Sequence, residues 1–214
     1  MTPRHLLPHA MAALMLCACT NVKDLAAKAE AGDPAAQFNY ARCLMSGKGT
    51  PRNPQEALAW LRKAAAQGHR NAAMAAGLCY SAGVGTEKNY RTAGRYLQQA
   101  SDADHYHAQL LLAQFYAKGL GTPKNPIEAV NHLRYAAMQG SPHAALLMFY
   151  CFYDGYGVPH HESIAFGWLE NAADFGSSEA KILLKLHSNP KKSLLFAKKV
   201  DFYRKKLDFF PQKR

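Results

Sequence analysis

GDPAAQFNYARCLMSGKGTPRNPQEALAWLRKAAAQ, residues 32–67, is the stretch from which the rest of the chain is read. A shift of 36 residues (68 − 32) brings Gly32, Gly68, Asp104, Gly140 and Gly176 into register. Four full copies follow one another without a gap, at 32–67, 68–103, 104–139 and 140–175, and a shortened fifth covers 176–214.

The register holds at residues with a physical reason to recur. Gly47, Gly83, Gly119 and Gly155 align, as do Gly49, Gly85, Gly121 and Gly157. A Gly-x-Gly after an apolar-periodic segment supplies the positive φ that ends a helix and turns the chain. Asn53-Pro54 and Asn125-Pro126 restart a helix, with Asn as cap and Pro in the first turn. Ala57, Ala93, Ala129 and Ala165, then Trp60, Tyr96, His132 and Trp168, give each second helix its stripe. Each copy is therefore helix, glycine turn, helix. A unit too small to bury its own apolar face recurs at a fixed period, which predicts an all-α solenoid of stacked helix-turn-helix repeats.

These residues resemble the Sel-one-like repeat family, a relative of the tetratricopeptide repeats. The resemblance rests on Ala36-Gln37, Ala72-Ala73, Ala108-Gln109 and Ala144-Ala145, on the glycine turn, and on endings such as residues 63–68, KAAAQG; it covers residues 24 to about 210. It implies a right-handed α superhelix that binds other proteins.

Forty-nine per cent apolar residues, with no run long enough to cross a bilayer, argue against a multi-spanning membrane protein. The net charge of +11 is unevenly spread. Residues 19–180 hold 14 Lys/Arg and 13 Asp/Glu (14 − 13 = +1), whereas residues 181–214 hold 11 against 2 (11 − 2 = +9). Electrostatic partners therefore belong with the tail.

Residues 1–18 read as a signal peptide: Arg4 and His5, then a mostly apolar stretch at 6–16 broken by Pro8 and His9. Its end, Leu16-Cys17-Ala18-Cys19, is similar to a bacterial lipobox. That resemblance implies cleavage before Cys19, acylation of Cys19, and, with Thr20 rather than Asp next, an outer-membrane lipoprotein facing the periplasm. Several acyl chains give a lasting anchor. Residues 19–31 then carry the lipid attachment and an N-terminal capping helix over the first repeat.

Cys43, Cys79 and Cys151 occupy one repeat position, filled by Phe115 in the third copy. Equivalent positions of stacked repeats are too far apart to bridge one another, so the three read as buried, unpaired apolar residues. The fifth unit drops the glycine turn, and Asn189-Pro190 opens a second helix continuing to about residue 210. On it Phe196, Val200, Tyr203, Leu207 and Phe210 form one stripe, and Leu195, Phe202 and Phe209 a second, parted by Lys199 and Lys206. Two readings stand here: a cap on the open end of the array, or an interfacial helix against anionic lipid.

Chemistry is sparse. His105 and His107, and His160-His161-Glu162, lack the companion ligands of a zinc site, so neither a metal nor a cofactor is expected. No phosphate-binding glycine loop occurs, which points away from an enzyme and leaves a cell-wall or β-lactam hydrolase as the weakest alternative. Nucleic acid does not suit an exported protein. A surface remains. By analogy with tetratricopeptide repeats, the first helices line a partner-binding groove at Phe38, Arg42, Met45, Met74, Leu78, His107, Leu110, Gln114, Leu146, Tyr150 and Tyr153, rich in apolar and aromatic anchors. The function expected is a non-enzymatic module holding a protein or peptide partner in the envelope, with an immunity protein against a periplasmic toxic effector as the narrower alternative.

Overall fold

In the computed structural model the described residues are 21–102, 105–207 and 209, so the signal peptide, Cys19 and Phe210 lie outside them. Among the described residues the chain runs through eleven α-helices: α1 Val22–Glu30, α2 Pro34–Ser46, α3 Pro54–Ala66, α4 Arg70–Ala82, α5 Tyr90–Asp102, α6 Tyr106–Lys118, α7 Pro126–Met138, α8 Pro142–Asp154, α9 Glu162–Asp174, α10 Ser178–His187 and α11 Ser193–Lys206. A short 3-10 turn, Pro190–Lys192, leads into α11. From α2 to α9 every helix is 13 residues long, as an exact period requires.

Each end is fixed by local chemistry. The first helix of a repeat is capped by Asp33, His69, Ser141 or Ser177, whose side chain accepts a bond from a backbone N–H of the first turn. The second is capped at the equivalent position by Asn53, Asn89, Asn125 or His161. Each such cap contributes about 1 kcal/mol. Gly47, Gly83 and Gly155 close first helices in the left-handed region, and each donates its N–H to the carbonyl of the recurrent cysteine four residues before, Cys43, Cys79 or Cys151.

The helices form two compact units, one through Ala108 and one from Gln109. In the first, consecutive helices pack on a core dominated by alanines of α2, α3 and α4 together with Leu44, Leu58 and Leu61. Small side chains let these backbones approach closely: a Cβ on Gly77 of α4 would sit 2.9 Å from Leu97 of α5. Aromatic pairs bind first helix to second. Tyr40 meets Trp60 edge-on, and Tyr80 stacks on Tyr96 with centroids 5.6 Å apart.

The second unit repeats the scheme with bulkier residues. Tyr116 stacks on His132, and Phe149 packs among Tyr150, Tyr153 and Phe166. Here α11 docks: Phe196, Val200 and Tyr203 are buried, the Tyr150 hydroxyl donates to the Val200 carbonyl, and Arg204 pairs with Asp154 at 3.0 Å. The helix stops at Lys206, earlier than the stripe suggested, and Phe209 turns into the core against Tyr156 instead of extending the second stripe. No helix among the described residues is long and apolar enough to cross a membrane.

Candidate interaction surface

Seven of the eleven expected groove residues are buried: Phe38, Met45, Leu78, Leu110, Gln114, Leu146 and Tyr150. This corrects their reading as an exposed lining. The reason is that a first helix is covered on most of its circumference; in α8 all eight residues from Ala144 to Cys151 are buried. Arg42, Met74, His107 and Tyr153 keep accessible surface. Arg42 lies over the Phe38 ring at 5.6 Å, and Phe38 in turn stacks on His69.

A recess of about 430 Å³ opens elsewhere in the first unit, lined by the second helices α3 and α5 and by the first helix α4. Arg62 and Ala66 come from α3, Tyr80 from α4, and Thr92, Arg95, Tyr96 and Gln99 from α5. The floor is rigid: Tyr80 and Tyr96 stack within 9° of parallel, and the Gln99 amide donates to the Ala65 carbonyl at 2.6 Å, tying α5 to α3. Arg62 and Arg95 are exposed, neither has an ion-pair partner among the described residues, and no carboxylate lines the recess. Two guanidinium forks without ion-pair partners, in a recess also lined by a tyrosine pair, suit a carboxylate beside a flat or apolar group.

The arginines are not framework. One period on, Arg62 is replaced by Gln98, then Arg134 and Glu170, and Arg95 by Asn131 and Gly167. The tyrosine stack is framework, since Tyr116 and His132 repeat it. Sequence reasoning passed over these residues because Arg62 and Arg95 belong to different repeats and gain meaning only when α3 and α5 are neighbours across α4.

The histidines resolve into structural roles. His69 and His161 are helix caps. His105 stands at the capping position of α6, its ring 5.8 Å from that of His107, and burial, His107 and Arg70 hold its pKa down at about 4. The Nδ1 of His105 and the Nε2 of His143 are buried with no hydrogen-bond partner among the described residues. Burial lowers the pKa of His143 as well, against the opposing charge of Glu179. No group of three or more His, Cys, Asp or Glu side chains is placed to hold a metal among the described residues. Cys79 and Cys151 are buried free thiols, whereas Cys43, expected to be unpaired, is disulfide-bonded. The distance between stacked helices forbids a bridge only between equivalent repeat positions.

An all-α array of 13-residue helices, capped at fixed positions and turned by paired glycines, defines a helical repeat scaffold. The chain belongs to the Sel1 repeat family, which matches residues 34–69, 71–105, 107–141 and 142–177. These units begin two or three residues after the sequence-read repeats, at 34 against 32, 71 against 68, 107 against 104 and 142 against 140. The chain is similar to a Sel1 repeat protein from Oxalobacter formigenes, with 31% identity and a TM-score of 0.73, over 82% of this chain and 75% of that one. It is also similar to c5321, a protective antigen of uropathogenic Escherichia coli strains, with 26% identity and a TM-score of 0.76 over 86% of this chain; it spans 41% of that protein's length. No curated protein matches.

Proposed function

We propose that the protein is a non-enzymatic interaction module, exported and lipid-anchored at Cys19, that holds a protein or peptide partner at the periplasmic face of the outer membrane. The observation that carries the binding reading is the recess of the first unit, which Arg62 and Arg95, without acidic partners, line together with the stacked Tyr80 and Tyr96. It accepts an acidic segment with an aromatic or apolar neighbour. Within the same unit the half-buried Arg42 and Met74 and the exposed His107 offer further first-helix contacts. The anchor reading is supported by the Leu16-Cys17-Ala18-Cys19 pattern and Thr20, and it requires that the Cys19 sulfur carry lipid rather than the bond to Cys43, for which only Cys17 and Cys19 remain once Cys79 and Cys151 are free.

Cross-linking in intact envelopes, followed by capture of the native protein beside Arg62→Glu/Arg95→Glu, tests the binding site. A partner recovered with the native protein and lost with the double variant supports the recess; equal recovery sinks it. If the partner is a toxic effector, the scaffold is an immunity protein. Cys19→Ser tests the anchor separately: the native protein should stay in the outer-membrane fraction through a high-salt wash, and the variant should be released by it.

A further inference from the structure

The docking of α11 uses one of its two apolar stripes and leaves the other outside. Phe196, Val200 and Tyr203 are 5–8% exposed, whereas Leu195 is 45% and Phe202 57% exposed. At 100° per residue, Leu195 and Phe202 (i, i+7) fall within about 20° of one another, on a face turned well away from the buried stripe. Lys199 and Lys206 lie on one side of this pair and Lys198 and Lys205 on the other. Residues 190–206 hold seven Lys/Arg and one acid, Asp201 (7 − 1 = +6). Asp201 sits off the lysine face and is occupied by Arg204 and Lys205. Lys191, Lys192, Lys198 and Lys199 have no acidic partner among the described residues.

We propose that this face of α11 is a peripheral membrane-binding surface that lies flat on an anionic lipid bilayer. A convex helix face with two apolar anchors at its centre and no recess fits a plane better than it fits a second protein. Leu195 and Phe202 enter the acyl boundary while the flanking lysine stems extend to the phosphates of the headgroups. Lysine, a flexible point charge, suits a mobile field of phosphates, and each one near such a surface strengthens binding about fivefold. The contact depends neither on the recess of the first unit nor on acylation of Cys19, and it orients the second unit wherever the chain is tethered.

The test uses the full chain carrying Cys19→Ser, which removes the acyl anchor, with vesicles of phosphatidylcholine alone or with about a third phosphatidylglycerol. Binding to the anionic vesicles should be at least about tenfold tighter and should weaken with salt. Leu195→Ser/Phe202→Ser should lose about tenfold, and glutamine at Lys191, Lys192, Lys198 and Lys199 about a hundredfold or more. No preference for anionic vesicles overturns the proposal. So does a serine variant that binds like its parent while the glutamine variant does not, since binding is then electrostatic adsorption without entry of Leu195 and Phe202 into the bilayer. Independently of any change in stability, Phe202→Trp should add emission that brominated lipid quenches, over the background of Trp60 and Trp168; added emission that stays unquenched overturns insertion.

Discussion

Gly85 and Pro54 touch backbone to backbone: a Cβ on Gly85 would lie 2.2 Å from the Pro54 carbonyl oxygen. Gly157 and Pro126 repeat the contact at 2.3 Å. The first glycine of each turn ends its helix, as its positive φ requires. The second has another task, to admit the start of the preceding repeat's second helix.

Gly85→Ala should therefore cost more than a turn glycine ordinarily does. A left-handed φ of +70 penalises alanine by about 1 kcal/mol, and relieving the clash with Pro54 moves backbone, for a total of about 3 kcal/mol. Gly32→Ala, at φ +100 with nothing within 4 Å, should lose about 1 kcal/mol. Urea unfolding followed by circular dichroism separates the two; equal losses would refute the backbone contact.

The two stripes of α11 should differ in stability as they differ in exposure. Phe196→Ala and Val200→Ala remove buried side chains and should cost about 2–4 kcal/mol each. Leu195→Ala and Phe202→Ala should stay within about 0.5 kcal/mol. Thermal melts of the four variants provide the check.

Acid should loosen the fold before its carboxylates titrate. His105 is held at about 4, below its ordinary 6.5, chiefly by burial. The unfolded chain therefore binds the proton more readily. Its contribution to stability is complete above about pH 6.5 and lost as the pH falls from there to about 4. His143, lowered by burial, acts in the same direction. Glu179 and Asp201 are held below their ordinary values, Glu179 first by a backbone hydrogen bond and Asp201 first by its bond with Lys205, so their contributions are lost at still lower pH. The melting temperature should drop between pH 6.5 and 4, and His105→Asn should flatten that drop.

The thiols of the recurrent position should be silent while the protein is folded. Burial pushes Cys79 up to about 12 and raises Cys151 further. At neutral pH the thiolate fraction of Cys79 is about a thousandfold below that of a thiol with the ordinary value of 9. Maleimide labelling at Cys79 and Cys151 should appear only on denaturation.

Much of this architecture was legible because it is local. Pro54 and Pro126 in a first turn, asparagine before them and glycine after an apolar segment each act within a few residues, so a single copy reveals them and the period multiplies the signal. The buried stripe of α11 was legible for the same reason. The groove was not. A helical wheel finds a lining only where a helix has a wet side, and α8 is buried through Leu146 and Tyr150 alike. Arg62 and Arg95 were hidden differently, because each reads as an ordinary surface charge until α3 and α5 are brought together. The bond of Cys43 was not legible, because the spacing of stacked helices speaks only of bridges between equivalent repeat positions.

The joint between Gly85 and Pro54 carries one more consequence. Its two sides are a glycine with no side chain and a carbonyl that every residue possesses, and Gly157 with Pro126 forms the same joint. Nothing in the contact depends on what the adjoining repeats display on their surfaces. At these two joints, therefore, a decorated face such as Arg62 with Arg95 can be changed or erased while the coupling itself stays as it is.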